Sequence, residues 1–232
     1  MGGFGPYIVM ELPFGIPLSQ TVVTSWFLMA IIMILTFLGT RNLQMVPGKG
    51  QIVVETVVGG INNLTKQTMG EKNAHFAPYI GTLIIFIAFS NLSGLVGLRP
   101  PTADINTTLG LALITFFMIQ GFSIYSKGII GYIKSFFQPI VFMAPLNVIG
   151  ELATPISLSF RLFGNITGGL IMMSLLYSAL GSATQAILHI PIPLLQVGIP
   201  AFLHIYFDLF AGLIQSFIFS MLTMVFVANA LD

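Results

Sequence analysis

The sequence predicts an all-α integral membrane protein with about five transmembrane crossings, and three observations carry that prediction. Its 232 residues include eight Lys or Arg and seven Asp or Glu, 6% charged, where a soluble domain holds roughly 25%. The hydrophobic fraction is 56% and the mean hydropathy is +0.97. The charges are also spaced so that long runs carry none: 12–40, 73–98, 105–126, 135–150, 162–207 and 209–231. So few charges cannot clothe a water-facing surface, which excludes a soluble globular enzyme. A net charge of +1 lacks the basic footprint of a nucleic-acid-binding protein. With no cysteine, disulfides, thiol nucleophiles and thiolate metal sites are excluded too.

A crossing needs about 20 mostly apolar residues. On that measure the spans fall at about 22–40, 79–98, 108–126, 146–180 and 199–229. Trp26 suits an interface anchor near the outer end of the first. The fourth is too long for one upright crossing and contains Pro155, Gly164, Gly168 and Gly169, so a long tilted or bent helix is expected. Between the first two spans, Val53, Val54, Val57, Val58, Ile61 and Leu64 recur at helical spacing opposite Glu55, Asn62, Asn63 and Lys66. That pattern predicts an amphipathic helix over about 51–68 lying at the membrane interface. Arg99-Pro-Pro-Thr-Ala-Asp104-Ile-Asn106 reads as a turn, and His189 in His-Ile-Pro-Ile-Pro as part of an outer loop. No internal repeat or low-complexity linker divides the chain, so residues 1–232 are expected to form a single membrane domain.

Orientation follows from the basic residues. Arg41, Lys49, Lys66 and Lys72 lie between the first two spans, Lys127 and Lys134 between the third and fourth, and only Arg99 between the second and third. Because Lys and Arg collect on the cytoplasmic side, the segments 40–78 and 126–140 are placed inside. The N-terminus then lies outside and the C-terminus in the cytoplasm. No basic residue precedes Arg41, so a cleavable signal peptide is not expected.

Motifs for covalent or nucleotide chemistry are missing. The histidines at 75, 189 and 204 are too far apart for a helical metal pair, and there is no HExxH, P-loop, GxGxxG or nucleophile elbow. Neither a cofactor nor a metal is expected. What remains is a group of ionisable and polar residues at membrane depth. Arg161 is the only basic residue after Lys134. Burying it in the bilayer costs at least about 2.5–3.5 kcal/mol, and it stays protonated, so an anionic partner is implied. Ser157, Arg161 and Asn165 share one helical face, with Glu151 and Asn147 further back along the same segment. His204, Asp208 and Gln215 form a second polar stripe on the last span. If the two helices pack antiparallel, the stripes meet or flank a wet groove. A blander reading pairs Arg161 with Asp208 as a buried structural tie. Asp104 and Asn106 suit a turn and helix N-cap as well as a polar mouth.

The segment Arg161-Leu-Phe-Gly-Asn165, with Ala144-Pro-Leu-Asn147-Val-Ile-Gly-Glu151-Leu-Ala-Thr-Pro155-Ile-Ser157 before it, resembles the signature of the a subunit of F-type rotary ATP synthases. The resemblance extends to the Arg99–Asn106 turn and to Gln215-Ser-Phe-Ile-Phe-Ser-Met-Leu-Thr, and covers most of the chain from about Val22. It implies a stator subunit of a bacterial plasma membrane, beside a ring of c subunits and held by peripheral-stalk b subunits, that binds no nucleotide itself. It also implies two offset aqueous half-channels, with Arg161 as the essential arginine between them. A fixed cation favours the ionised ring carboxylate, expels its ion and blocks a direct leak.

With the predicted topology, Glu151 and Asn147 fall to the inner half-channel and His204 and Asp208 to the outer one. Asn165 and Gln215 would orient Arg161, Ser157 continues its polar face, and Asp104 and Asn106 would line the outer mouth. The chain departs from the family in one place. Many members carry Glu or His nine residues after the arginine, where this chain has Leu170. The transported ion, proton or sodium, is therefore left open. Gly164-Asn-Ile-Thr-Gly168 suits close helix approach, to the ring or within the chain. Two other readings compete: a secondary transporter with an intramembrane Arg/Asp site, and a structural scaffold.

Overall fold

The computed structural model describes residues 8–12, 16–138, 140–188 and 195–231. His189 and its outer loop therefore lie outside the described residues. Two short strands open the chain: β1 (Ile8–Leu12) pairs antiparallel with β2 (Ile16–Ser19), with Ile8 opposite Ser19. At five and four residues they are too short to leave a readable alternation, and the sequence reading does not anticipate them. The rest is helical, and five stretches are long and apolar enough to cross a membrane: Gln20–Thr40, Glu71–Val96, Ile105–Phe136, Val141–Thr184 and Pro200–Leu231. The all-α membrane class stands.

Helix α1 (Gln20–Thr40) exposes apolar side chains along its length, including Trp26, Met33 and Phe37. That is the surface a lipid-facing helix presents, since hydrocarbon offers no reason to hide it. Helix α2 (Lys49–Met69) agrees with the helix expected over 51–68. Its apolar stripe divides. Val54 and Ile61 lie against Gly39 and Gly81, whereas Val53, Val57 and Val58 stay exposed. Helix α3 (Ala77–Leu92) begins with Pro78 in its first turn, where a missing N–H costs nothing, and a 3₁₀ turn carries it to Val96.

Helix α4 (Ile105–Phe136) runs ten residues past the expected end of its span at 126. Lys127 and Lys134 end the apolar run, but a charge stops a membrane span without stopping a helix. The break comes instead at Gly128, whose φ of 70° and ψ of 162° lie outside helical space and suit only glycine. Helix α5 (Ala144–Leu188) is 45 residues long, roughly 65 Å at 1.5 Å per residue, so it must tilt or project beyond a hydrocarbon core of about 30 Å. Pro155 within it leaves the Glu151 carbonyl without its usual helical donor. The last span joins α6 (Leu195–His204) to α7 (Gly212–Leu231) through a π-helical stretch at Ile205–Ala211.

The core sits where α3, α4, α5 and α7 converge. Leu83, Ile87, Ala112, Leu158, Leu162, Ile166 and Phe219 form one cluster, and Met69, Phe76, Ile80, Met224 and Val227 a second. Leu158, Leu162 and Ile166 recur at i, i+4, i+8 and turn one stripe of α5 inward. Ser157, Arg161 and Asn165 are each one residue earlier and so about 100° around the helix. The packing that buries the first stripe leaves the second exposed beside it.

Candidate functional site

Arg161 opens onto a cleft of about 200 Å³ lined by Gly150, Ala153, Thr154, Ser157, Leu158 and Phe226. Among the described residues it makes no hydrogen bond or ion pair. A pairing of Arg161 with Asp208 is not formed. A second cleft of about 230 Å³ holds Glu151, with Gln120, Ser123, Asn229 and Phe116 in its wall. Thr154 and Phe226 line both clefts, so the two clefts are neighbours along one face of α5. Along α5 Glu151 and Arg161 are ten positions apart, roughly 15 Å.

Glu151 is not alone. The Tyr132 hydroxyl lies 3.2 Å from its Oε2 and also hydrogen-bonds the Gln120 side chain. Neither residue stands out in the sequence. A lone Gln within the charge-free run 105–126 was the available signal, and Tyr132 carried none. Asn147, by contrast, is not brought into this cleft. Its Nδ2 donates to the carbonyls of Phe136 at 2.8 Å and Gln138 at 3.1 Å, tying the end of α4 to the start of α5.

Beyond Arg161, α5 and the last span pack antiparallel. Asn165 Nδ2 donates to Gln215 Oε1 at 2.7 Å, while Gln215 Nε2 is buried without a partner. Gly169 lies against Phe207, and the Tyr177 hydroxyl is 3.1 Å from His204 Nε2. His204 Nδ1 in turn is 2.5 Å from Asp208 Oδ2, an ion pair if the ring is protonated. The expected single stripe of His204, Asp208 and Gln215 is therefore spread. His204 meets α5 at Tyr177, Asp208 approaches Gly94 just after α3, and Gln215 returns to α5 at Asn165. The π-helical stretch contains Asp208, and its i→i+5 bonding shifts the residues after it around the helix axis. Counting from the Asn165–Gln215 contact, Arg161 is four residues to one side and Asp208 seven to the other, roughly 16 Å of axial separation. Leu170, where a relay partner is common in the family it resembles, packs against the first core cluster.

Asp104 is the N-cap of α4, accepting from Asn106 N at 3.0 Å and Nδ2 at 3.2 Å, and its other oxygen accepts from Thr21 Oγ1 at 3.0 Å. Asp104 and Asn106 also border an open cleft of about 480 Å³ with Ser19 and Thr21. No group of three or more His, Cys, Asp or Glu able to hold a metal occurs among the described residues. The arrangement offers two polar regions containing carboxylates, on opposite sides of one unpaired cation.

Residues 22–228 match the family described as ATP synthase A chain. The chain is 37% identical to the sodium-ion-specific ATP synthase subunit a of Propionigenium modestum, over 94% of this chain and 76% of that protein. It is 36% identical to ATP synthase subunit a of Moorella thermoacetica, over 92% of this chain and 91% of the relative. To the Desulfosudis oleivorans subunit it is 38% identical, over 92% and 89% of the two.

Proposed function

Because this chain belongs to the ATP synthase A chain family, and is thus an ion-translocating stator subunit of an F-type ATP synthase, we propose that Arg161 separates two offset half-channels serving a c-ring. The observation that carries this reading is the unpaired, exposed Arg161 beside its open cleft. An arginine at membrane depth implies an anion. With none supplied by the described residues, a carboxylate on the passing ring completes the pair. As each ring site arrives, the guanidinium favours the ionised carboxylate and the bound cation leaves.

The inner half-channel runs through Glu151 and the shared Thr154–Phe226 wall to Ser157 and Arg161. The outer one passes His204 and Asp208, with Asp104 and Asn106 at its mouth. Asn165 and Gln215 hold the position of Arg161 between them, and Asn147 fixes the inner end of α5. The whole chain acts as one membrane unit in a bacterial plasma membrane. Its N-terminus is outside, its C-terminus is cytoplasmic, α2 lies along the inner interface, and b subunits hold it against the ring. It binds no nucleotide itself. The transported ion in this reading is the proton, because His204 is hydrogen-bonded to both Asp208 and Tyr177, a chain along which a proton can be handed on. A second reading, sodium, is favoured by the ion named for the Propionigenium relative.

The test is Arg161→Ala and Arg161→Lys in the whole complex reconstituted into vesicles. Both are expected to abolish ATP-driven pumping while the complex still assembles. Near-normal coupled pumping by either would refute the assignment. The lysine variant matters because a flexible point charge does not reproduce a planar, permanently charged fork.

A further inference from the structure

We propose that Tyr132 is a positioning residue of the inner ion path, delivered by the bend at Gly128 and acting on the Glu151 carboxylate. The inference rests on the placing of Glu151 in that path. On a straight helix Gln120 and Tyr132 would stand about 18 Å apart along the axis, too far for their side chains to meet. They do meet, and the backbone between them leaves helical geometry at Gly128. The bent segment is also fixed from the far side. Asn147 ties its last carbonyls to α5 four residues before Glu151, and the ring of Phe136 packs edge-on against that of Tyr132, with centroids 5.0 Å apart. The phenol is thus held over one carboxylate of the cleft wall by elements on both sides.

The chemistry follows from counting protons. A phenol has one O–H, and an ionised carboxylate can only accept. The phenol hydroxyl faces two acceptors, Gln120 Oε1 and Glu151 Oε2 at 3.2 Å, and its single O–H can serve only one of them at a time. While the O–H serves Glu151 it occupies Oε2, which leaves the carboxylate fewer free lone pairs and weakens its hold on a transported cation. A carboxylate in an ion path must release what it binds. Tyr132 keeps this one from becoming a trap at the cytoplasmic end.

The experiment uses the whole complex in vesicles with its ATP-hydrolysing head outside, so the external medium bathes the cytoplasmic end. ATP-driven pumping is titrated against external proton and, separately, external sodium concentration. For the cation that drives the response, Tyr132→Phe is expected to lower the half-saturating external concentration about tenfold, as loss of a hydrogen bond to a charged group implies. Dependence on the lumenal cation should not move, which a merely structural defect would not spare. In a Glu151→Gln background the Tyr132 substitution is expected to change nothing further. If Glu151→Gln leaves no pumping to titrate, Glu151→Asp, which withdraws the carboxylate from the phenol, takes its place with the same expectation. An unchanged half-saturation in Tyr132→Phe, with Glu151 variants still altered, overturns the role of Tyr132 and leaves the inner path standing. A Tyr132 effect equal in both backgrounds also overturns it. Unaltered behaviour of the Glu151 variants removes Glu151 from the path and the inference with it.

Discussion

Nδ1 of His204 lies 2.5 Å from Oδ2 of Asp208, and Nε2 of the same ring lies 3.1 Å from the Tyr177 hydroxyl on the neighbouring helix. The imidazole is therefore fixed at both nitrogens, and the Gln196 side chain ties the Tyr177 carbonyl to the last span at 2.7 Å. An imidazole between a carboxylate on its own helix and a phenol on the neighbouring one can pass a proton without a partner at position 170. Asp208→Asn and His204→Ala are each expected to slow ion uptake from the outer side about tenfold, the effect of losing one charge-assisted hydrogen bond. Tyr177→Phe keeps the ring packing and should slow it less than either. Synthesis driven by an imposed gradient measures this, and an unchanged rate in Asp208→Asn removes that residue from the path.

Asn165 supplies the one hydrogen bond the buried Gln215 amide makes among the described residues. Asn165→Ala leaves both ends of that amide unsatisfied, and a buried polar group without a partner costs about 1–3 kcal/mol. Reduced stability in detergent titration is expected, together with a loss of coupled pumping larger than the loss of assembled complex. Gln215→Leu removes the orphan along with the bond and should recover stability without recovering pumping. Equal losses of pumping and assembly in Asn165→Ala would reduce Asn165 to a packing residue.

The helix pair α3 and α7 closes on Gly212. The Asn91 side chain donates to the Gly212 carbonyl at 2.8 Å and accepts from Thr102 at 2.6 Å, and a Cβ at residue 212 would stand 3.1 Å from Asn91 Cβ. Gly212→Val must therefore part the helices and break both bonds. A destabilisation of about 2–4 kcal/mol is expected, the range for overpacking plus an unsatisfied buried group. Asn91→Ala should cost about half as much, because it opens space instead of forcing it. A Gly212→Val protein as stable as the parent in denaturant titration would show that this contact yields.

Much of this was legible because charge is scarce. In a chain that is 6% charged, each ionisable residue within a span stands out, and Arg161, Glu151 and Asp208 did so from spacing alone. Span positions followed from the same scarcity, but helix ends did not. Lys127 and Lys134 end the charge-poor run, while α4 continues to Phe136. The partners of the site were illegible for a geometric reason. Tyr132 reaches Gln120 only through a positive φ at Gly128, and glycine occurs at many positions where φ stays negative. The π-helical stretch around Asp208 likewise rotates residues out of the stripe that an ideal 3.6-residue period predicts. Asn147 shows the reverse case, a polar residue in the right segment whose hydrogen bonds go to backbone.

Ion identity is the sharpest remaining question that this chain's residues address. On the proposed reading a ring carboxylate binds the ion, so the stator must only conduct it, and its conducting groups differ with the cargo. A sodium ion needs oxygen ligands and water along its route. A proton needs groups that titrate near neutral pH, and histidine is the side chain best placed to do so. Here His204 is hydrogen-bonded to both Asp208 and Tyr177, which suits proton transfer. ATPase activity of the complex is therefore expected to be independent of sodium, and sodium should not protect the ring carboxylate from carbodiimide. His204→Gln, which keeps hydrogen bonding but cannot titrate, should impair pumping at every sodium concentration. Sodium-stimulated ATPase activity, sodium protection from carbodiimide and an active His204→Gln variant would together assign this stator to sodium.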